Sequence, residues 1–186
     1  MGLRFGVDLP GVAASVDDLL RALRAADRVR TTEGPTLLHH LLACAETLAH
    51  AFPEDEALQL AGLVHDLGLV LRPDDAEDHT RNGAYFVGII LGARVSEIVA
   101  EHDNAGRYLA TADAARTAVA SRRRTVLSLG MDPDEVDRFR ANRWWRDAVV
   151  LRRADDLSLG GSGRVRAVTD WLPVIERVSK AAGYLD

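Results

Sequence analysis

Four of the six histidines in this 186-residue chain fall in an ordered series with two aspartates: His40, then His65 directly followed by Asp66, then His79, His102 and finally Asp155. Four imidazoles and two carboxylates make a mixed nitrogen and oxygen donor set. Such a set suits iron, manganese, cobalt, nickel or zinc, whereas magnesium and calcium favour all-oxygen cages. Each residue alone has a plainer reading. A lone histidine on a helix is more often a satisfied core or surface residue, a His-Asp dipeptide arises often by chance, and Asp155 follows Arg152 and Arg153, natural ion-pair partners. The set acquires meaning only if positions far apart in the chain converge, as facing side chains do in a helical bundle.

The elements that must position these residues read as helices, because Gly and Pro fall between apolar-periodic segments rather than inside them. Ser15-Val16-Asp17-Asp18 is a capped and acidic first turn, followed by Leu19, Leu20, Leu23 and Val29 at near-helical spacing. After Gly34-Pro35, a second helix from Thr36 to Phe52 carries His40. A third starts at Pro53-Glu54-Asp55 and ends near Asp66 to Gly68, with His65 and Asp66 at its close. Beyond the polar loop Arg72-Pro73-Asp74-Asp75, the pattern predicts two short helices, His79 to Leu91 and Val95 to Glu101, divided at Gly92. A longer one from Leu109 to Leu129 is stopped by Gly130, and Asp132-Pro133 opens another, up to about Asn142. Trp144 to Leu159 carries Asp155, and a final helix runs from about Thr169 to Ala182. Two adjacent tryptophans cannot face one way, so one of Trp144 and Trp145 is expected in the core and the other partly exposed. Few runs alternate with period two, so no sheet is expected. The expected architecture is an all-α single domain over 15–186, behind an N-terminal arm at 1–14, with a metal site in its core.

Composition narrows the class. Hydrophobic residues make up 47% and charged residues 27%, as in ordinary globular proteins, and the net charge of −5 argues against nucleic acid as a partner. Arg122-Arg123-Arg124 is a dense basic run that reads foremost as a solvated helix face. Cys44 is the only cysteine, which rules out an internal disulfide and a thiolate cluster; its apolar neighbours mark it as a buried thiol. The N-terminus lacks a signal-peptide pattern, and no run of uninterrupted apolar residues approaches the ~20 of a membrane span, so a cytoplasmic protein without a membrane partner is expected. Nothing in the sequence specifies an oligomeric state.

The order His, His-Asp, His, His, Asp resembles the ligand pattern of the HD-domain superfamily, with His79 and His102 as the extra pair of its dinuclear members. Leu38-His39-His40-Leu41-Leu42-Ala43-Cys44-Ala45, Leu63-Val64-His65-Asp66-Leu67-Gly68, Glu101-His102 with Arg107-Tyr108-Leu109, and Arg146 through Asp156 look like the mixed-valent diiron oxygenase branch. That branch contains the enzymes oxidising 2-aminoethylphosphonate derivatives, with myo-inositol oxygenase as a distant relative. The similarity covers about Thr32 to Leu159. It implies that Asp66 bridges two iron ions, one held further by His40, His65 and Asp155 and the other by His79 and His102. It also implies an Fe(II)/Fe(III) pair that activates O2 toward a C–H bond of a substrate chelated through a hydroxyl. Two carboxylates against five positive charges leave such a site cationic, which favours an alkoxide or oxo bridge. Manganese or another divalent transition metal is the alternative occupant.

The departures bear on substrate. In the phosphonate oxygenases a lysine stands four residues after the fourth histidine and another four after the last aspartate; here those places hold Gly106 and Leu159. Leu69 stands where those enzymes continue the His-Asp motif to another histidine, and Arg30 or Thr31 falls where they carry an aromatic gate. A dianion in a pocket stripped of two cations is poorly paired, so the expected substrate is a small hydroxylated or amino-containing metabolite rather than a simple phosphonate. Glu33, Arg107 and Arg124 are the candidate substrate contacts. The competing function is a metal-dependent phosphohydrolase acting on a nucleotide or other phosphate ester, with a metal-bound hydroxide as nucleophile; a third is a regulatory domain that retains metal without turnover.

Overall fold

The computed structural model describes residues 9–31, 36–112, 130–159 and 163–184, and among them it is built of helices joined by short turns. Helix α1, Val16–Ala26, starts where Ser15 Oγ accepts from the Asp18 amide, and its buried stripe includes Leu19, Leu20 and Leu23. Helix α2, Leu37–Ala51, is capped by Thr36 and turns Leu37, His40, Leu41, Cys44 and Leu48 inward. Those positions recur at three- and four-residue steps, the spacing of one helical face. Helix α3, Glu56–Val64, is capped by Asp55 and is buried along most of its length.

The later helices surround this centre. A four-residue turn of helix, α4 (Gly68–Leu71), leads through a 3-10 turn at Ala76–Asp78 into α5, His79–Ala100. Then come α6 (His102–Ala112), α7 (Pro133–Ala141), α8 (Trp145–Ser158), a 3-10 turn at Val168–Trp171 and α9 (Leu172–Ala181). Helix α2 packs against α3 and α8, α5 against α3 and α4, and α6 against α8. One apolar cluster joins Leu23, Leu41, Leu60, Leu63, Phe86, Ile98, Leu151 and Trp171, all fully buried or nearly so. Burying each such side chain stabilises the fold by about 1.5–3 kcal/mol before entropy is counted. A smaller cluster of Ala105, Leu109, Met131, Phe139, Ala148 and Val149 pins α6 and α7 to α8.

Several expectations change here. Helix α6 begins at His102, not at Leu109, because Ala105 and Leu109 are held against Ala148 and Val149 of α8. Helix α4, too short to show periodicity, was not expected. Residues 113–129, the remainder of the expected long helix, lie outside the described residues. Gly92 does divide α5: its φ of 81° lies in the left-handed region that glycine tolerates, and an added Cβ would sit 3.0 Å from Ala182 Cβ. Trp144 and Trp145 are both half-buried, Trp144 against the large cluster and Trp145 against the small one, so neither is the purely core residue expected. The span Ala76–Thr111 is long and apolar enough by composition to cross a membrane, with a mean hydropathy of 1.5 over its best window. Half of that window is buried within the bundle, the stretch is broken at Gly92, and it carries His79 and His102.

Arg94 ties the layers together outside the core. Its guanidinium donates to both oxygens of Asp55 at 2.8 and 2.6 Å and to Asp147 at 2.9 Å, linking α5 to the cap of α3 and to the first turn of α8. The segment before α1 is also engaged: the Ala13 amide donates to the Phe86 carbonyl at 2.9 Å.

Candidate metal centre

His40, His65, Asp66, His79, His102 and Asp155 come together although they stand on five different elements. His40 projects from the buried face of α2, and His65 and Asp66 follow directly on the last turn of α3. His79 opens α5, His102 opens α6, and Asp155 lies in the last turns of α8. Gly68 makes the convergence possible. An added Cβ would fall onto the carbonyl of His79, 2.7 Å from its Cα, so only glycine lets the start of α5 press this close to α4.

The two oxygens of Asp66 face two different pairs of imidazoles. Oδ1 lies 3.3 Å from Nε2 of His79 and 3.3 Å from Nε2 of His102. Oδ2 lies 3.5 Å from Nε2 of His65 and 3.9 Å from Nε2 of His40. On that second side Asp155 Oδ1 adds contacts of 3.1 Å to His40 and 3.6 Å to His65. Two donors bound to one ion at ~2.1 Å are separated by roughly 3.0 Å at a right angle and about 4.2 Å when opposite. Every one of these separations falls inside that window.

The outer nitrogens explain why the inner ones point as they do. Nδ1 of His65 bonds the Gly62 carbonyl at 2.9 Å, Nδ1 of His79 the Ala76 carbonyl at 2.8 Å, and Nδ1 of His102 the Val99 carbonyl at 2.8 Å. A carbonyl accepts only, so in each case Nδ1 carries the proton and neutral Nε2 presents a lone pair to the centre. His40 follows the same rule. Ser158 Oγ gives its hydrogen to the Asp155 carbonyl at 2.8 Å and accepts from Nδ1 of His40 at 3.1 Å. The Nε2 atoms of His40 and His65 then meet at 3.2 Å, two lone pairs that repel unless a proton or a cation stands between them. That donor set fits a metal ion on each side of Asp66.

Without a metal, protons take the ion's place. Burial acts to lower the pKa of His65, but the Asp66 and Asp155 carboxylates outweigh it and push it up to about 9. For His79 burial again acts downward, and Asp66 with Asp103 carries it up to about 9. Burial alone would raise Asp66 and Asp155; the surrounding histidines, and Arg152 for Asp155, hold both well below the usual carboxylate range. Cys44 lies one turn beyond His40, fully buried, and burial pushes its thiol well above the usual value, which keeps it neutral.

The other expected site residues fare differently. Glu33 and Arg124, with Arg122 and Arg123, lie outside the described residues. Arg107 donates to both oxygens of Glu135 at 2.7 Å, so its guanidinium joins α6 to α7. His39 turns away from its neighbour and places Nε2 3.1 Å from the Gly163 carbonyl. Asp156 accepts from Arg152 at 2.9 and 3.0 Å rather than entering the histidine cluster.

Two residues of the site, Ser158 and Asp103, escaped the sequence reading, and Arg152 was read there only as an ion-pair partner of Asp155. Ser158 orients His40. Arg152 is buried with its guanidinium 3.4 Å from Asp155 and 3.6 Å from Asp103. Asp103 itself stands 3.8 Å from the Nε2 atoms of both His79 and His102. The available signal was helical spacing: Arg152 and Ser158 lie three residues either side of Asp155, on its face of α8.

No curated protein matches the chain. A family-level sequence profile described as the HD domain matches residues 37–158, a span that begins at the first residue of α2, ends at the last of α8 and holds all six converging histidines and aspartates. With more than half of its length matched and that residue set gathered at one point, the chain belongs to the HD-domain family.

Proposed function

We propose that this HD-domain protein is an O2-dependent non-haem diiron oxygenase that oxidises a C–H bond of a small hydroxylated or amino-containing metabolite in the cytoplasm. The observation that carries the reading is the division of Asp66 between two imidazole pairs, which suits a carboxylate bridge between two transition-metal ions. A bound Fe(II)/Fe(III) pair supplies activation of O2 and Lewis acidity toward a chelating hydroxyl.

The chain's own residues set the rest. Asp66 and Asp155 supply two negative charges against a dinuclear cation, so the centre keeps a positive field that favours an alkoxide on the substrate. Helices α2, α3, α5 and α8 wall the histidines off from water; His65 and His102 are almost wholly buried, and His79 and Asp66 are the better exposed ligands. Substrate therefore approaches on the His79 side. Among the described residues, Arg152 is the guanidinium that reaches the centre, and it already answers Asp103, Asp155 and Asp156. With Gly106 and Leu159 in place of lysines, this commitment weighs against a phosphate or phosphonate dianion and hence against the phosphohydrolase alternative.

EPR of aerobically handled protein with quantified metal tests the proposal. About two irons per chain and a signal below g = 2 from a coupled Fe(II)/Fe(III) pair support it, and substrates are then screened by O2 uptake. A protein that lacks this signal, carries zinc or manganese in place of iron and hydrolyses phosphate esters sinks it in favour of hydrolysis.

A further inference from the structure

Asp103 is a carboxylate beyond the six-residue set, and its surroundings are those of a ligand. The geometry points to Asp103 as a further ligand of the second ion, beside His79, His102 and the bridging Asp66; the inference rests on the dinuclear reading above. Asp103 Oδ2 lies 3.8 Å from Nε2 of His79, and Oδ1 lies 3.8 Å from Nε2 of His102. These are the same two nitrogens that flank Asp66 Oδ1 at 3.3 Å. Both separations lie within the roughly 3.0–4.2 Å expected of two donors sharing an ion at ~2.1 Å.

These contacts, and the 3.6 Å from Arg152 to Oδ1, are all longer than hydrogen bonds. Asp103 therefore faces two inward lone pairs across a space that a metal–ligand bond on each side would span. Its side chain is 32% exposed against 17% for Asp66, so it flanks the His79–His102 pair at the solvent rim while Asp66 lies deeper. The first turn of α6 sets this placement, since it begins at His102 and carries Asp103 next to it.

With Asp103 included the two ions have matching shells. The first is held by His40, His65, Asp155 and Asp66, the second by His79, His102, Asp103 and Asp66. Arg152 lies between the two outer carboxylates, 3.4 Å from Asp155 and 3.6 Å from Asp103, and orients one ligand of each ion. The extra carboxylate lowers the net charge at the second ion and tightens its retention.

Anaerobic titration of the metal-free full chain with Co(II), followed by calorimetry and visible absorption, tests the assignment. The wild type is expected to take up two equivalents, and His102→Ala defines the spectrum of the first ion alone. Asp103→Asn and Asp103→Ala are expected to keep the first equivalent and to weaken the second by about 10-fold or more, with a change in its d–d bands. Arg152→Gln, which leaves Asp103 in place, is expected to shift the bands of the second ion but to weaken its binding less than either Asp103 variant does. Two equivalents of wild-type affinity with superimposable spectra in both Asp103 variants overturn the inference and leave the dinuclear reading standing. So does an Arg152→Gln protein that loses the second ion as Asp103→Asn does, since Asp103 would then act through the arginine. A wild type that binds one equivalent overturns the dinuclear reading and the inference together.

Discussion

Ser158 accepts a hydrogen bond from Nδ1 of His40 at 3.1 Å and passes its own hydrogen to the Asp155 carbonyl at 2.8 Å, so a single hydroxyl couples α2 to α8 at the first ion's ligands. The bond fixes the tautomer of His40 and aims Nε2 inward. Ser158→Ala leaves the ring free to rotate and to move its proton to Nε2. Affinity for the first ion should fall by about 10- to 100-fold, read by competition against a chelator, with the helical content unchanged. An unaltered affinity in Ser158→Ala contradicts the positioning role.

Metal and protons compete for the same nitrogens, and the sign is fixed by the raised values. His65 and His79 titrate at about 9 in the folded metal-free protein against an ordinary 6.5. Their contribution to stability is fully present below pH 6.5 and is lost as pH rises through 9. The metal-free protein should therefore melt at a lower temperature at pH 9 than at pH 6.5. Metal affinity should rise over the same interval, because binding must expel those protons. Calorimetry in two buffers of different ionisation enthalpy counts the protons released. A metal-induced gain in Tm that is equal at pH 6.5 and pH 8.5 would contradict the competition.

Gly68 makes a sharper structural prediction. Its missing side chain is the space into which the carbonyl of His79 fits. Gly68→Ala must push α5 away from α4, and His79 is the first residue to move. The cost of such overpacking is about 1–3 kcal/mol, seen as a lower midpoint in urea. Because His79 serves the second ion, the variant should also bind one metal more weakly than the other. A Gly68→Ala protein that binds both ions normally would show that α5 can shift without moving its first residue.

Much of this centre was legible in the sequence because its chemistry is carried by residue types that stand out, and because each ligand sits at the start, the end or the buried stripe of a helix. Thr36 and Asp55 announced the starts of α2 and α3, and the ligand order of the HD-domain resemblance singled out His40 on α2. Asp103 and the burial of Arg152 were hidden for physical reasons. The start of α6 contains Asp103, Asn104 and Gly106, weak helix formers held helical by packing on α8, so the sequence did not show a helix beginning at His102 that carries Asp103. Arg152 looks like one of two adjacent surface arginines until α8 is rotated against α2, where Arg153 faces solvent and Arg152 does not. Helix α4 is four residues long, and tertiary contact with α5 rather than local pattern makes it helical.

The adjacent aspartates of α8 give the cleanest internal control. Asp155 is buried, 3.1 Å from Nε2 of His40, whereas Asp156 is a third exposed and binds Arg152 across one helical turn. Consecutive helical residues diverge in direction, so a metal ligand and its neighbour share a chain position but not a function. Asp155→Ala should lower affinity for the first ion by on the order of 100-fold or more, and it also leaves the buried Arg152 with one fewer carboxylate. Asp156→Ala removes two hydrogen bonds from the buried Arg152, so it should cost about 1–3 kcal/mol of stability, and leave metal content at the wild-type level. Metal analysis of the two purified variants, side by side, reads the difference directly. Full metal in Asp155→Ala would remove Asp155 from the ligand set, and metal loss in Asp156→Ala would show that the anchoring of Arg152 matters as much as the ligand itself.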